Sequence, residues 1–268
     1  MNGVSIIIPT YKQKKEYLHC AVKSILNQTC IGKIPIEIVI VEDGDIPPDV
    51  SGFIFDKGNI NFKVHVRGEN GGTACALNDG IRFSNPKFKY FSWLSSDDFF
   101  YPEFLETHIF ALNNLNCKIS YSGYTEIIYD KDDNLKGIAQ YKPPIPENIT
   151  IAQQPRLVDI KEFKDSLIKC LHRRSCQYNG CCFIFEKILF DEVGPFNEQY
   201  KFIQDFSQWL RMAHNSNIKN IAIVPQSLMS RREHKGRTQF LYSQEDFIKQ
   251  KTWELTDMFQ KFIVKGNE

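Results

Sequence analysis

The stretch "WLSSDDFFYP", residues 93 to 102, sets Asp97 and Asp98 side by side directly after an apolar run. Two neighbouring carboxylates at a strand end have two readings. As a helix cap or turn they accept backbone N–H bonds, a common fate of aspartate. As hard oxygen ligands they hold Mg2+ or Mn2+, which keeps several waters and is completed by substrate phosphate, so one or two protein carboxylates suffice. A third carboxylate, Asp205 in "QDFSQWLRM", stands at an expected helix start and by itself reads as a cap.

The elements around these residues set where they meet. "SIIIPT" (5 to 10) and "IEIVIVEDG" (36 to 44) are continuous β-branched runs, the pattern of strands covered on both faces in a parallel sheet. Strands are also expected over 62 to 66 and 89 to 94, with helices over 73 to 83 and 102 to 115, the last with Pro102 at its first position. The fold class is therefore α/β: a Rossmann-like, open, mostly parallel twisted sheet with helices on both faces. Ligands of such sheets bind beyond the carboxyl ends of the strands. Here those ends carry Pro9, Thr10 and Tyr11, then Glu42 and Asp43, then Ser95, Ser96, Asp97 and Asp98, converging on one rim.

The later pattern is looser. A long strand is expected over 118 to 130, a turn at 130 to 134, a proline-rich connection at 141 to 155 and a helix at 159 to 171. A strand entering a helix that stops at Gly194 follows, then a helix over 205 to 216 and a strand over 218 to 225. The cluster Arg231, Arg232, Lys235 and Arg237 around Gly236 reads as a loop, either solvated or closing over an anion.

Bulk composition narrows the class. The chain has 268 residues, 33 basic and 32 acidic, for a net charge of +1 without long single-sign runs, which argues against a nucleic-acid surface. Eight cysteines include no CxxC pair, and the chain opens on "VSIIIPTY" without a leader-like segment, so reduced thiols in a cytoplasmic protein are expected. Cys170, His172, Cys176 and Cys181 match no common zinc spacing. No apolar stretch reaches the roughly 20 residues needed to cross a bilayer.

The blocks "VSIIIPTYKQ", "LNQT", "VIVEDGD", "NGGTACALNDGI", "WLSSDDFFYPEFLE", "QDFSQWLRM" and "RREH" together resemble, in order and spacing, the inverting family 2 glycosyltransferases of bacteria with the GT-A fold. The resemblance runs from Val4 to about His234, with residues 130 to 175 least matched. It implies a nucleoside-diphosphate sugar donor, a UDP-sugar favoured, and a Mn2+ or Mg2+ cofactor. Asp43 falls on the aspartate that faces the base; Pro9, Thr10 and Tyr11 on a nucleotide-side block; Asn70 and Asn78 on the "NxGxAxARNxGI" block, where Leu77 replaces the usual arginine. Ser95, Ser96, Asp97 and Asp98 fall on "DSDD", with Asp97 and Asp98 toward the metal and a serine at the first position. Asp205 falls on the general base, with Gln204 replacing the usual glutamate. Arg232 falls near the diphosphate and His234 is a further metal ligand.

On that reading, residues 1–125 form the nucleotide-sugar-binding half, 126–240 the acceptor and catalytic-base half, and 241–268 a C-terminal amphipathic helix. The acceptor is a hydroxyl of a glycan, lipid-linked or protein-linked molecule, met by "YNGCC" (178 to 182) and by loops between 130 and 175; Tyr141 and Tyr178 are candidates to stack on a sugar. The helix places Phe247, Trp253, Leu255, Met258, Phe259 and Phe262 on one stripe, for docking on the domain, in a homodimer, or on the inner membrane face. Two rivals stand beside transfer. A non-catalytic sugar-nucleotide-binding module would release no nucleotide to an acceptor; a nucleotidyltransferase would need a glycine-rich loop where "PTYKQKKEY" has no glycine.

Overall fold

Strand β1 (Val4–Thr10) exposes Pro9 in part and β2 (Ile36–Glu42) nothing, as expected of β-branched runs covered on both faces. The computed structural model describes residues 2–53, 59–130, 134–143, 154–174, 178–234 and 242–264. Helix α1 (Lys15–Leu26) buries Leu18, Ala21, Val22 and Ile25 at helical spacing. Strand β3 (Ile60–Val66) is an edge strand, and α2 (Thr73–Phe83) lies against β1 so closely that a Cβ on Gly80 would come within 2.3 Å of Ile7 Cγ2. Only glycine fits there.

The remaining elements are β4 (Tyr90–Trp93), β5 (Phe99–Phe100), α3 (Phe104–Asn114), β6 (Ile119–Tyr129), β7 (Leu135–Tyr141), β8 (Arg156–Asp159) and α4 (Ile160–His172). After them come β9 (Phe183–Glu186), α5 (Ile188–Val193), α6 (Gln204–Ala213), β10 (Asn220–Glu233) and α7 (Gln244–Phe259), the last running into a π turn at Gln260–Val264. One sheet holds the ten strands in the order β3-β2-β1-β4-β9-β6-β10-β5, with β7 on β6 and β8 on β10. From β3 to β4 every pairing is parallel; β9 enters antiparallel to both β4 and β6, and β6 pairs parallel with β10. Among the described residues no helix is long and apolar enough to cross a membrane.

Two expectations are corrected. Residues 230 to 233 are strand, because β10 continues past two register shifts between Val224 and Met229 and pairs along β6 as far as Glu233 with Ile128. Pro225, with no N–H, sits in that irregular stretch and disguises the continuity. Lys235, Gly236 and Arg237, like Cys176, lie outside the described residues. In α7, Trp253 is 45 % exposed whereas Glu254 is fully buried, the reverse of what its apolar stripe predicts. The short strands β5, β7 and β8 carry no clear alternation and were not expected.

Candidate active site

The strand ends open into a cleft of about 700 Å3. Its wall includes Pro9, Thr10 and Tyr11 from the end of β1, Asp43 after β2, Asn70 ahead of α2, Ser95 to Asp98 after β4, and Asp205 from α6. Carboxylates from three distant stretches thus share one cavity. The topology makes this unavoidable for the first three groups, since β1, β2 and β4 run parallel and end on the same edge.

Asp43 is held by its surroundings. Its Oδ1 accepts the Gly71 N–H at 2.9 Å and its Oδ2 the Gly72 N–H at 2.7 Å, while Arg67 Nη1 donates to Oδ1. Arg67 also donates through Nε to Asp79 Oδ2 at 2.6 Å. Arg67 was not anticipated, for it stands alone in "HVRGEN" with no spacing to mark it. Ser96 Oγ accepts from Gln13 Nε2 at 3.1 Å, and Ser95 faces the Cys181 thiol at 3.4 Å. Thr10 Oγ1 is buried without a hydrogen-bond partner among the described residues.

Asn78 does not line the cleft. Its amide donates to Phe196 O at 3.0 Å and Glu198 Oε1 at 2.9 Å, and its Oδ1 accepts the Phe196 N–H at 2.9 Å. It ties α2 to the loop after α5, so the donor contact expected of it is replaced by a structural bond. Arg232 is likewise absent from the wall: its guanidinium lies between the Tyr17 and Phe99 rings at 5.2 and 5.1 Å and donates to the Asp97 carbonyl at 2.6 Å. Its neighbour Arg231 lines the cleft instead, paired with Glu126 and Glu233. Successive strand side chains point to opposite faces, so once 230 to 233 is strand only one of the two arginines can face the cavity.

His234 Nε2 lies 2.9 Å from Asp97 Oδ2, and Asp98 Oδ1 accepts the Arg232 N–H at 2.8 Å. An octahedral Mg2+ at about 2.0–2.1 Å from its ligands separates adjacent ligand atoms by about 2.9 Å. A carboxylate and an imidazole at that spacing fit a divalent cation, although only Asp97 of the two lines the cleft and the buried His234 stands behind it, off the wall. Among the described residues no three His, Cys, Asp or Glu side chains converge to hold a metal, so most of such a cation's shell would be water and ligand oxygen. Asp98, with one oxygen engaged by Arg232, braces the pair.

Asp205 is not the cap of α6. The helix begins at Gln204 after Ile203, without a side-chain cap, and Asp205 lies inside its first turn. The carboxylate is partly exposed at the cleft wall, and its Oδ1 accepts the Phe206 N–H at 2.7 Å. Burial among protein atoms pushes its pKa up to about 6; hydrogen bonds from Phe206 and Gly180 oppose the rise, and the charge of Glu254 adds to it. Gly180 packs beneath it: a Cβ there would lie 2.2 Å from Trp93 Cζ2 and 2.8 Å from Asp205 Oδ2. Gly180 belongs to the "YNGCC" stretch expected on the acceptor side, whereas Glu254, which stands behind the wall, was not foreseen. Tyr178 lines the cleft and bonds Ser166 through its hydroxyl, whereas Tyr141 lies outside it, stacked on Tyr124 at 4.7 Å.

An open α/β sheet with acidic strand ends on one edge defines a class that binds ligands there. The glycosyl transferase family 2 pattern matches residues 5–174, and the chain belongs to that family. It is 36% identical over 219 residues to an uncharacterized glycosyltransferase of Rickettsia prowazekii (strain Madrid E), covering 80% of this chain and 60% of the relative. The chain therefore spans about three fifths of that relative's length. A shorter match, 34% over 98 residues, reaches the minor teichoic acid biosynthesis protein GgaA of Bacillus subtilis (strain 168), covering 36% of this chain and 22% of that protein. The crystal structure of S. aureus TarS 1–349 in complex with UDP-GlcNAc superposes with a TM-score of 0.57 at 15% identity, over 96% of this chain and 66% of that one. The shared architecture is the GT-A fold.

Proposed function

We propose that the chain moves a hexosyl or N-acetylhexosaminyl group from a nucleoside-diphosphate sugar, a UDP-sugar in the first instance, to a hydroxyl of a glycan, lipid-linked or protein-linked acceptor with inversion. The observation that carries this reading is the common cleft of Asp97 and Asp205. The complex of TarS with UDP-GlcNAc favours a UDP-sugar, and the GgaA relative favours a surface-polymer acceptor.

Asp205 acts as general base. A carboxylate with a pKa of about 6 is mostly ionised at neutral pH and is a better proton acceptor than an ordinary aspartate. It takes the hydroxyl proton as the acceptor oxygen bonds to the anomeric carbon; the bond from that carbon to the β-phosphate oxygen breaks, and the nucleoside diphosphate leaves with its electron pair. Asp97 and His234 would hold Mg2+ or Mn2+, which supplies Lewis-acid stabilisation of the charge on that leaving group. Arg231, on the same wall, presents a guanidinium to the leaving group, its charge shared with Glu126 and Glu233. Asp43, Thr10, Tyr11 and Asn70 bound the part of the cleft assigned to the nucleotide.

The test is a panel of nucleotide sugars offered to the purified chain without acceptor, with Mn2+, Mg2+ or EDTA. Slow release of nucleoside diphosphate from at least one donor, abolished by EDTA, is expected. A panel inert under all three conditions, with no donor bound, would sink the reading.

A further inference from the structure

Three consecutive amides, Lys201, Phe202 and Ile203, end the loop that delivers Asp205 into α6, and all three donate to one carboxylate. Lys201 N lies 2.6 Å from Glu254 Oε1; Phe202 N and Ile203 N lie 3.1 and 3.0 Å from Oε2. Gln250 Nε2 adds a fourth bond to Oε1 at 2.9 Å. Glu254 belongs to α7, some 50 residues away in the chain, and is 0% exposed. A carboxylate removed from water is costly unless its oxygens are met by donors, and here three backbone N–H groups and the Gln250 amide meet them. An amide of the same shape cannot replace it, because its NH2 would face an N–H.

Simple helix docking does not ask for this arrangement. Met258, one turn on, is fully buried and is the ordinary apolar solution, whereas position 254 carries a charge beside the cleft. The loop it grips also forms the wall, where Lys201, Phe202 and Ile203 meet Phe247, Lys251 and Leu255 of α7. Helix α6 has no side-chain cap, and the Glu254 carboxylate instead holds the N–H of its N-cap residue Ile203 and of the two residues before it.

We infer that Glu254 is a positioning residue: it fixes the main chain of residues 201 to 203 and thereby sets where the Asp205 carboxylate stands in the cleft. The C-terminal helix is on this account part of the catalytic apparatus. The inference rests on the reading of Asp205 as general base. A displacement of about 1 Å at a reacting group costs about a hundredfold in rate, so a hold of this kind acts on turnover more than on donor binding.

The experiment uses the whole chain and Glu254→Gln, with amide hydrogen exchange and steady-state kinetics on the most active UDP-sugar of the panel. Exchange at residues 201 to 203 should rise about tenfold or more while β1 and β2 stay protected. Turnover should fall about ten- to a hundredfold with donor KM within about threefold of wild type. Tyr200→Phe, which cuts only the Tyr200 hydroxyl bond to Asp257 at 2.5 Å, should leave turnover within about threefold, the scale of one lost hydrogen bond. Faster exchange with unchanged turnover overturns the inference, as does a parallel loss of turnover and donor binding. Should Glu254→Gln fail to fold, the wild type decides: unprotected amides at 201 to 203 refute the hold, protected ones support it. An Asp205→Asn variant that keeps full turnover would instead remove the general base, leaving the exchange result standing.

Discussion

The two sides of the cleft are built differently. Around Asp43 the partners come from one neighbourhood, Arg67, Gly71 and Gly72, all between β3 and α2. Around Asp205 the wall is assembled from Trp93, Gly180 and a loop gripped by Glu254, which belong to three remote parts of the chain. A parallel sheet places its strand ends by topology alone, so the first side is robust and local. The second has no such template, and its geometry depends on long-range bonds that single substitutions can break.

The largest expected effect is on the second side. Asp205→Asn should lower turnover by about 10² to 10⁴, the scale of a lost general base, while leaving the fold intact. The sign of its stability effect follows from the pKa raised from 3.8 to about 6: the folded state disfavours the ionised carboxylate, so stability is greatest below the unfolded value and falls as pH rises toward about 6. Thermal melts at pH 8 should therefore place Asp205→Asn level with or above wild type. The same pKa predicts that wild-type kcat/KM falls about tenfold per unit below about pH 6; a profile flat to pH 4 would rule out Asp205 as the base.

On the first side, Asp97→Asn should cost about 10² in turnover and raise the Mn2+ concentration for half-activation, measured by metal titration of donor hydrolysis. Smaller again, Gly180→Ala sharpens the contrast. The added methyl must displace Trp93 or Asp205, and a loss of about tenfold in turnover with unchanged circular dichroism is expected. Asn78→Ala is the smallest for catalysis: it should lower stability by about 1–3 kcal/mol, because Phe196 loses bonds to both backbone groups, yet leave donor KM unchanged. A raised donor KM without destabilisation would return Asn78 to the nucleotide site.

Legibility in the sequence follows the same division. The runs "SIIIPT" and "IEIVIVE" and the helix at 73 to 83 carry periodicities that local physics dictates, and they stand where expected. Asp43, Asp97 and Asp98 were visible because strand ends collect polar groups in an open sheet. Arg232 came from the match of its block, and its facing was not legible because Pro225 hides a continuing strand on which facing changes with every residue. Asn78 was misjudged because a buried amide looks the same in sequence whether it meets a ligand or a backbone.

From the sequence alone came the α/β class and the convergence of acidic strand ends, which follow from hydrophobic period and chain order, while the candidate pair Asp97 and Asp205 came from the resemblance of the motif blocks to a known family. Only the tertiary structure decided that Arg231 rather than Arg232 faces the cavity, that Asp205 lies inside its helix with a raised pKa, and that Glu254 holds the loop before it. The physical reason is range. Period and turn chemistry act between near neighbours, whereas burial, facing and the meeting of a carboxylate with amides some fifty residues away exist only once the chain has closed on itself.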